Sequence, residues 1–370
     1  MRFMGIHKTF MSSASAIGST FAWVFLFDVF LRSGTGIVYA ASHTALLFVL
    51  AQIVTLLMTP IAAHLVRFGV RRALAWGAIM QGAAFVVLGA TFAGGSLLLL
   101  AIFPVFYGIY RAAYRAPYAL AAKDRLPAAM QLITDLVPAL VGLAIAHDLS
   151  TPSRLMILAG ELAFISIIPL AALDEVYERF AWNYRDTWAA LFDAPNRLIV
   201  YAGLARGIEQ AALFFAWPIV IFFLVGGSYA YLGGILTLTL LISSPLDRML
   251  REMEQRAMRR SYFAAALLAV AVWVLRMIAI NPVSMVVLGV FATGSTTPLG
   301  SQHTRHDTYI DEFSVLTEMS ESAGRLVLGL VAAFAATILP LDSAFMFVCI
   351  IAGIAAAYAI AARRDTRLEA

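Results

Sequence analysis

Apolar runs of about twenty residues with few charges recur along almost the whole chain, and they decide its solvent. The clearest are 43–65, 73–93, 261–280 and 317–362. A helix that crosses the ~30 Å hydrocarbon core of a bilayer needs about 20 mainly apolar residues. These runs are far longer than the ~10-residue alternating strands of a membrane barrel. Of the 370 residues, 62% are apolar and 13% charged. Soluble domains average about 45–50% and about 25%, and one soluble core cannot hide such an excess. A soluble enzyme, a disordered scaffold and a disulfide-framework secreted domain are excluded. The one cysteine, Cys349, leaves no intrachain disulfide or cysteine metal cluster.

Twelve spans can be laid along the chain, at 13–31, 43–65, 73–93, 96–116, 128–147 and 154–173, then 198–225, 228–246, 261–280, 283–302, 317–339 and 343–362. The net charge is +4, but its distribution argues against nucleic acid as a partner. Of 26 Lys and Arg, 20 fall at the termini and in alternate connectors that share one side, such as Arg67, Arg71, Arg72 and Arg248 to Arg260. Only Arg32, Arg154 and Arg276 fall in the opposite loops, and Arg111, Arg206 and Arg325 lie within spans. The positive-inside rule then puts both termini in the cytoplasm, as in a bacterial inner-membrane protein.

The 174–197 connector is the longest. Tyr177, Phe180, Tyr184, Trp188 and Leu191 recur at three- and four-residue steps among charges, which predicts an interfacial amphipathic helix on the cytoplasmic leaflet. A solvated linker is the alternative. The connector divides the chain into six-span halves at 1–173 and 198–370. The halves resemble weak repeats, since Gly142 of span five and Gly329 of span eleven fall in register.

This organisation resembles the major facilitator superfamily of secondary transporters. The loop after span two, Ala62-Ala63-His64-Leu65-Val66-Arg67-Phe68-Gly69-Val70-Arg71-Arg72, is similar to the superfamily's Gly-x-x-x-Asp-Arg-x-Gly-Arg-Arg motif. It keeps Arg67, Gly69 and Arg71, while Ala62 and Val66 replace the leading glycine and the acid. The second-half counterpart keeps an Asp247-Arg248 pair. The resemblance implies two pseudo-symmetric six-helix bundles, alternating access, and gating by these loops. By their own chemistry, the arginines anchor to anionic headgroups.

Ionisable residues within spans are expensive and mark functional sites. Span seven carries Arg206, Glu209 and Gln210, with Gly203-x-x-x-Gly207 able to admit a close neighbour. Span eleven carries Glu318, Glu321, Ser322 and Arg325; span four carries Arg111 and Arg115; span five carries Gln131 and Asp135. Arg206 and Glu209, three apart, share a face. Arg115 reads as interfacial, Glu318 as wet, and Asp28 as the partner of Arg32. The expectation is a central cavity in which Arg111, Arg206, Glu209, Gln210 and Arg325 bind a small anionic or zwitterionic solute. Asp135, Glu209 or Glu321 would exchange a proton. No cofactor or metal is expected, and His303, His306, Asp307, Asp311 and Glu312 read as a solvated loop. The partners are the lipid bilayer and a small molecule, and the chain is expected to be a monomer. The rivals are a transporter-shaped sensor or scaffold and a polytopic enzyme acting on lipid-linked substrates.

Overall fold

Inside a bilayer every backbone N–H and C=O must be satisfied within the protein, which leaves helices for a chain with these runs. The computed structural model is all-helical among the residues it describes, which are 2–94, 97–121, 128–173, 175, 177, 180–254, 261–279, 281–296 and 310–366. The helices are α1 (Arg2–Arg32), α2 (Ile37–Leu65), α3 (Val70–Phe92), α4 (Leu97–Ala121), α5 (Ala128–Ala146), α6 (Pro152–Ile165) and α7 (Ile167–Leu170). There follow α8 (Tyr184–Phe192), α9 (Arg197–Ala211), α10 (Trp217–Leu224), α11 (Tyr229–Glu254), α12 (Ser261–Arg276), α13 (Pro282–Thr296), α14 (Ile310–Ile338) and α15 (Leu341–Thr366).

Among the described residues, nine continuous helical stretches are long and apolar enough to cross a membrane, and α12 and α13 contain shorter apolar helices. Leu140, Phe214, Ile278, Val283, Phe334 and Ile354 are all exposed. Large apolar side chains left outside on so many helices need lipid around them. The chain is an integral, multi-pass membrane protein.

Prolines account for two breaks in otherwise continuous spans. Pro169 has no N–H for the carbonyl of Ile165, and the helix divides there into α6 and α7. Pro218 likewise cannot serve the carbonyl of Phe214. The preceding turn, Ala212–Ala216, widens into a π-helix that joins α9 to α10.

The packing follows a repeated scheme. In the first part α1 packs on α5 and α6, α2 on α4, and α3 on α4 and α6. In the second part α9 packs on α14 and α15, α11 on α13, and α12 on α13 and α15. Between the parts, α2 packs on α14 and α5 on α11. The two register glycines sit at these last two seams: a Cβ on Gly142 would meet the Tyr229 carbonyl carbon at 3.0 Å, and one on Gly329 would meet Val49 Cγ2 at 2.8 Å.

Four sequence expectations change. Among its described residues the 174–197 connector forms the short helix α8, which opens on an Asn183/Asp186 capping box, and a 3-10 turn at Ala194–Asn196 that leads into α9. Its Phe180 is buried against Ala63, Val315 and Met319, with Trp182, Trp188 and Leu191 beside it. Phe180, Trp182 and Trp188 therefore cover the ends of α2 and α14, while Tyr177 and Tyr184 stay exposed; periodicity identifies an apolar face without saying what covers it. The Asp247-Arg248 pair lies inside the continuous helix α11, not in a loop, because α11 runs on through Pro245; the Arg248 side chain lies outside the described residues. Lys8, counted among the connector and terminal charges of one side, is buried. Beside it, His7 Nδ1 donates to the Ser166 carbonyl at 2.8 Å and Nε2 meets the Tyr114 hydroxyl at 2.9 Å. Arg276, expected in an outer loop, is 2% exposed.

Candidate functional site

The helices α9 and α14 approach closely because small residues alternate across their seam. A Cβ on Gly203 would lie 2.9 Å from Ser320 Cβ, one on Gly207 2.7 Å from the Glu321 carbonyl carbon, and one on Gly324 2.8 Å from that of Leu204. This contact carries Arg206 and Gln210 of α9 to the polar stripe of α14, where residues three and four apart share one face.

Charges from α4, α9 and α14, joined by an amide from α2, form one network. Arg325 Nη2 pairs with Glu318 Oε1 at 2.6 Å and Nη1 with Glu321 Oε2 at 3.4 Å. Arg325 also donates to Gln210 Oε1 at 2.7 Å, Ser322 Oγ at 2.9 Å and Gln52 Oε1 at 3.0 Å. Arg115 Nη1 bridges both carboxylates, at 3.0 Å to Glu318 and 2.9 Å to Glu321. Arg206 Nη1 reaches Glu321 Oε1 at 3.3 Å, and Arg111 Nη2 lies 3.8 Å from Glu318 Oε1. Gln210 Nε2 donates to Glu321 Oε2 at 3.1 Å. Glu318, Glu321 and Arg325 are buried, whereas the Arg115 side chain is 43% exposed. Four arginines thus face two glutamates among the described residues, an excess of positive charge held in an interior where isolated charges are costly.

Of the expected binding residues, Arg111, Arg206, Gln210 and Arg325 meet in this network, together with Glu321, expected to exchange a proton. Glu209 does not. Its buried carboxylate instead faces the Trp273 indole and Arg276, with Arg206 nearby. Arg276 lies between the Trp217 and Trp273 rings, its guanidinium carbon 4.9 Å and 4.3 Å from their centroids. Arg206 and Glu209 stay within electrostatic reach of each other, while Arg206 also pairs with Glu321 of α14 and Glu209 also turns to Trp273 and Arg276 of α12. Asp135 is buried and accepts from Gln131 Nε2, one turn away on its own helix, at 2.8 Å.

Gln52, Arg115 and Glu318 belong to the network although sequence reasoning passed over the first and placed the other two at the surface. A lone amide within the 43–65 run was the available signal for Gln52. His303, His306 and Asp307 lie outside the described residues, as does the side chain of Asp311. Among the described residues no three His, Cys, Asp or Glu side chains group as metal ligands. Glu312 is buried and accepts from the Ala181 N–H at 3.0 Å. Asp28 pairs with Arg32 at 2.9 Å and accepts from the Tyr229 hydroxyl at 2.6 Å.

The loop after α2 also finds partners. Arg71 Nε pairs with Glu175 Oε2 at 2.9 Å, and its Nη1 donates to the Leu173 carbonyl at 3.0 Å. Arg67 Nε donates to the Phe180 carbonyl at 2.6 Å. Gly69, at φ +122°, turns the chain where a Cβ would lie 2.8 Å from Glu175 Cγ. The acid that this loop meets is thus Glu175 of the connector.

No family model and no curated protein matches the chain. Among solved structures, the chain is similar to a crystal structure of the peptide transporter POT. The TM-score is 0.65 at 11% identity, and the alignment covers 99% of this chain and 94% of that one. The two chains share one fold. At 11% identity the likeness speaks for the fold, and the residues of the network are this chain's own.

Proposed function

We propose that the chain is a secondary transporter that carries a small organic solute, anionic or zwitterionic, by alternating access between two six-helix halves. In this reading twelve spans are formed by α1 to α7 (with α6 and α7 as one) and by α9 to α15 (with α9 and α10 as one). The repeated packing supports it: replacing each first-half element by its counterpart six spans later turns α1–α5 into α9–α14, α2–α4 into α11–α13, and α2–α14 into α11–α5. Rocking of such parallel-repeat halves about a site between them is the usual physics of carriers built this way.

The observation that carries the reading is the network itself, in which Gln52, Arg111 and Arg115 of one half meet Arg206, Gln210, Glu318, Glu321 and Arg325 of the other. A charged constellation that joins two halves must change partners whenever they move apart. A solute carboxylate would compete with Glu318 and Glu321 for the arginines. Protonation of Glu321, of Glu209 on the far side of Arg206, or of Asp135 would couple that competition to a proton. The connector, tied through Arg67, Arg71 and Glu175, would act as the cytoplasmic latch, with Gly69 as its turn and Asp247 in the matching second-half region.

The test is uptake by the full chain purified into liposomes under an imposed pH gradient, with mixtures of organic acids, amino acids and amines as cargo. Gradient-driven accumulation of an acid, lost in Arg206→Ala and Arg325→Ala, is expected. No flux of any solute, with the folded chain retaining a partner through purification, would favour a sensor instead.

A further inference from the structure

Two donors in the network are left without acceptors. Gln52 is fully buried, and its Oε1 takes the Nε–H of Arg325 at 3.0 Å. Since arginine only donates, this bond sets the amide orientation and leaves Nε2 as the free end. Among the described residues that Nε2 has no hydrogen-bond partner, and neither does the buried Nε of Arg111. Both residues flank the Arg325–Glu318 pair, on helices that nearly touch there: Thr55 Oγ1 donates to the Gly108 carbonyl at 3.3 Å. Buried polar groups are almost always paired, so two orphan N–H groups beside a net positive cluster are a place for an acceptor.

What adjoins that place on one side is aromatic. Phe48 is four residues from Gln52 on α2, and Tyr107 four residues from Arg111 on α4, so each lies one turn, about 6 Å, along the same helix face. Trp23 of α1 meets Phe48, Phe103, Tyr107 and Phe215 at centroid distances of 5.2, 5.5, 5.9 and 5.8 Å. Phe48 and Phe215 stack at 4.3 Å. These rings come from both halves, as the charges do.

We infer that the cargo is an organic acid with an apolar, ring-sized portion two or three bonds from its carboxylate. The two carboxylate oxygens accept from Gln52 Nε2 and Arg111 Nε, and the apolar portion lies among Phe48, Tyr107 and Phe215. This inference rests on the transport reading for the word cargo, but the site itself is tested by binding alone.

The experiment measures ligand-dependent thermal unfolding of the full chain in lipid nanodiscs, titrated with 3-phenylpropionate, propionate, 3-phenylpropylamine and 2-phenylethylphosphonate. Stabilisation by 3-phenylpropionate is expected at concentrations at least tenfold below those needed for the other three. The decisive variant is Gln52→Glu, which keeps an acceptor for Arg325 and replaces the free amide donor by an oxygen. It is expected to weaken 3-phenylpropionate binding at least tenfold. Should that variant fail to fold, Arg111→Lys, which keeps the charge and removes Nε, carries the same expectation. Phe48→Ala is expected to bring 3-phenylpropionate down towards propionate. A change of less than twofold in the Gln52 or Arg111 variant overturns the site. Equal binding of propionate or of the amine overturns the ligand class, and tighter binding of the phosphonate overturns the carboxylate. Binding without flux defeats transport and leaves this site standing; flux confined to solutes without an acid defeats this site and leaves transport standing.

Discussion

Replacing Gly207 by alanine tests whether the seam between α9 and α14 holds the charge network together. The new Cβ would sit 2.7 Å from the Glu321 carbonyl carbon and 2.8 Å from its Cα. Ordinary van der Waals contact begins at 3.4 Å, and the obstacle is backbone, which has no rotamer to escape into. The helices must therefore part by about 0.6 Å or more, and by about 1 Å once the still closer carbonyl oxygen is cleared. A shift of that size takes the Arg206–Glu321 contact from 3.3 Å past 4 Å and stretches the 3.1 Å bond from Gln210. Overpacking of this kind costs about 1–3 kcal/mol. With ~2 kcal/mol lost, the apparent melting temperature in nanodiscs should fall by about 2–3 °C. Gly234→Ala provides the control: nothing lies within 4 Å of its Cβ position inside α11. There alanine should stabilise by about 0.5–1 kcal/mol through helix propensity. The measurement is thermal unfolding of both variants beside the parent chain, with solute uptake in parallel. Opposite signs are expected, with uptake lost only in Gly207→Ala. If Gly207→Ala melts at or above the parent temperature, the close seam and everything built on it are refuted.

Three further outcomes follow from the geometry. Glu318→Gln removes the 2.6 Å partner of a buried Arg325; it should cost about 3–5 kcal/mol, with much of that recovered in Glu318→Gln/Arg325→Met, and equal melting of single and double variants would contradict it. Asn183→Ala deletes the capping box of α8; hydrogen exchange over Tyr184–Phe192 should quicken by the equivalent of about 1 kcal/mol, and unchanged protection would count against the cap. Arg71→Glu breaks the pair with Glu175, whose members are 35% and 11% exposed. The stability effect should stay below about 1 kcal/mol while protection of the connector from proteolysis falls, and Glu175→Arg in the same chain should restore it; no restoration would remove the latch.

Several parts of the site could be read before any coordinates. Arg206, Gln210, Glu321 and Arg325 stood out because polar groups inside apolar runs are costly and must have partners. The Gly203-x-x-x-Gly207 spacing gave notice of a close neighbour, though not that α14 would be that neighbour. Arg115 and Glu318 were assigned to the surface from their nearness to span ends. A guanidinium at the end of a long side chain can reach an acid from such a position, and Arg115 bridges two. Glu209 went the other way: its spacing from Arg206 fits a shared face, yet three residues turn the helix by about 300°. The remaining 60° is enough, at a corner between two neighbours, to send one group towards α14 and the other towards α12.

Hydrophobic run length, acting alone, determined the solvent and the helical class, because neither depends on which helix meets which. Arginine and lysine placement gave an expected orientation by the same kind of local argument, since headgroups act on each connector separately. Tertiary structure decided the rest: that a connector aromatic such as Phe180 covers protein rather than lipid, that Glu175 pairs with Arg71, and that Gln52 joins Arg325. Each of these is a contact between segments far apart in the chain. Local periodicity names the face a side chain lies on, and only packing names what stands opposite.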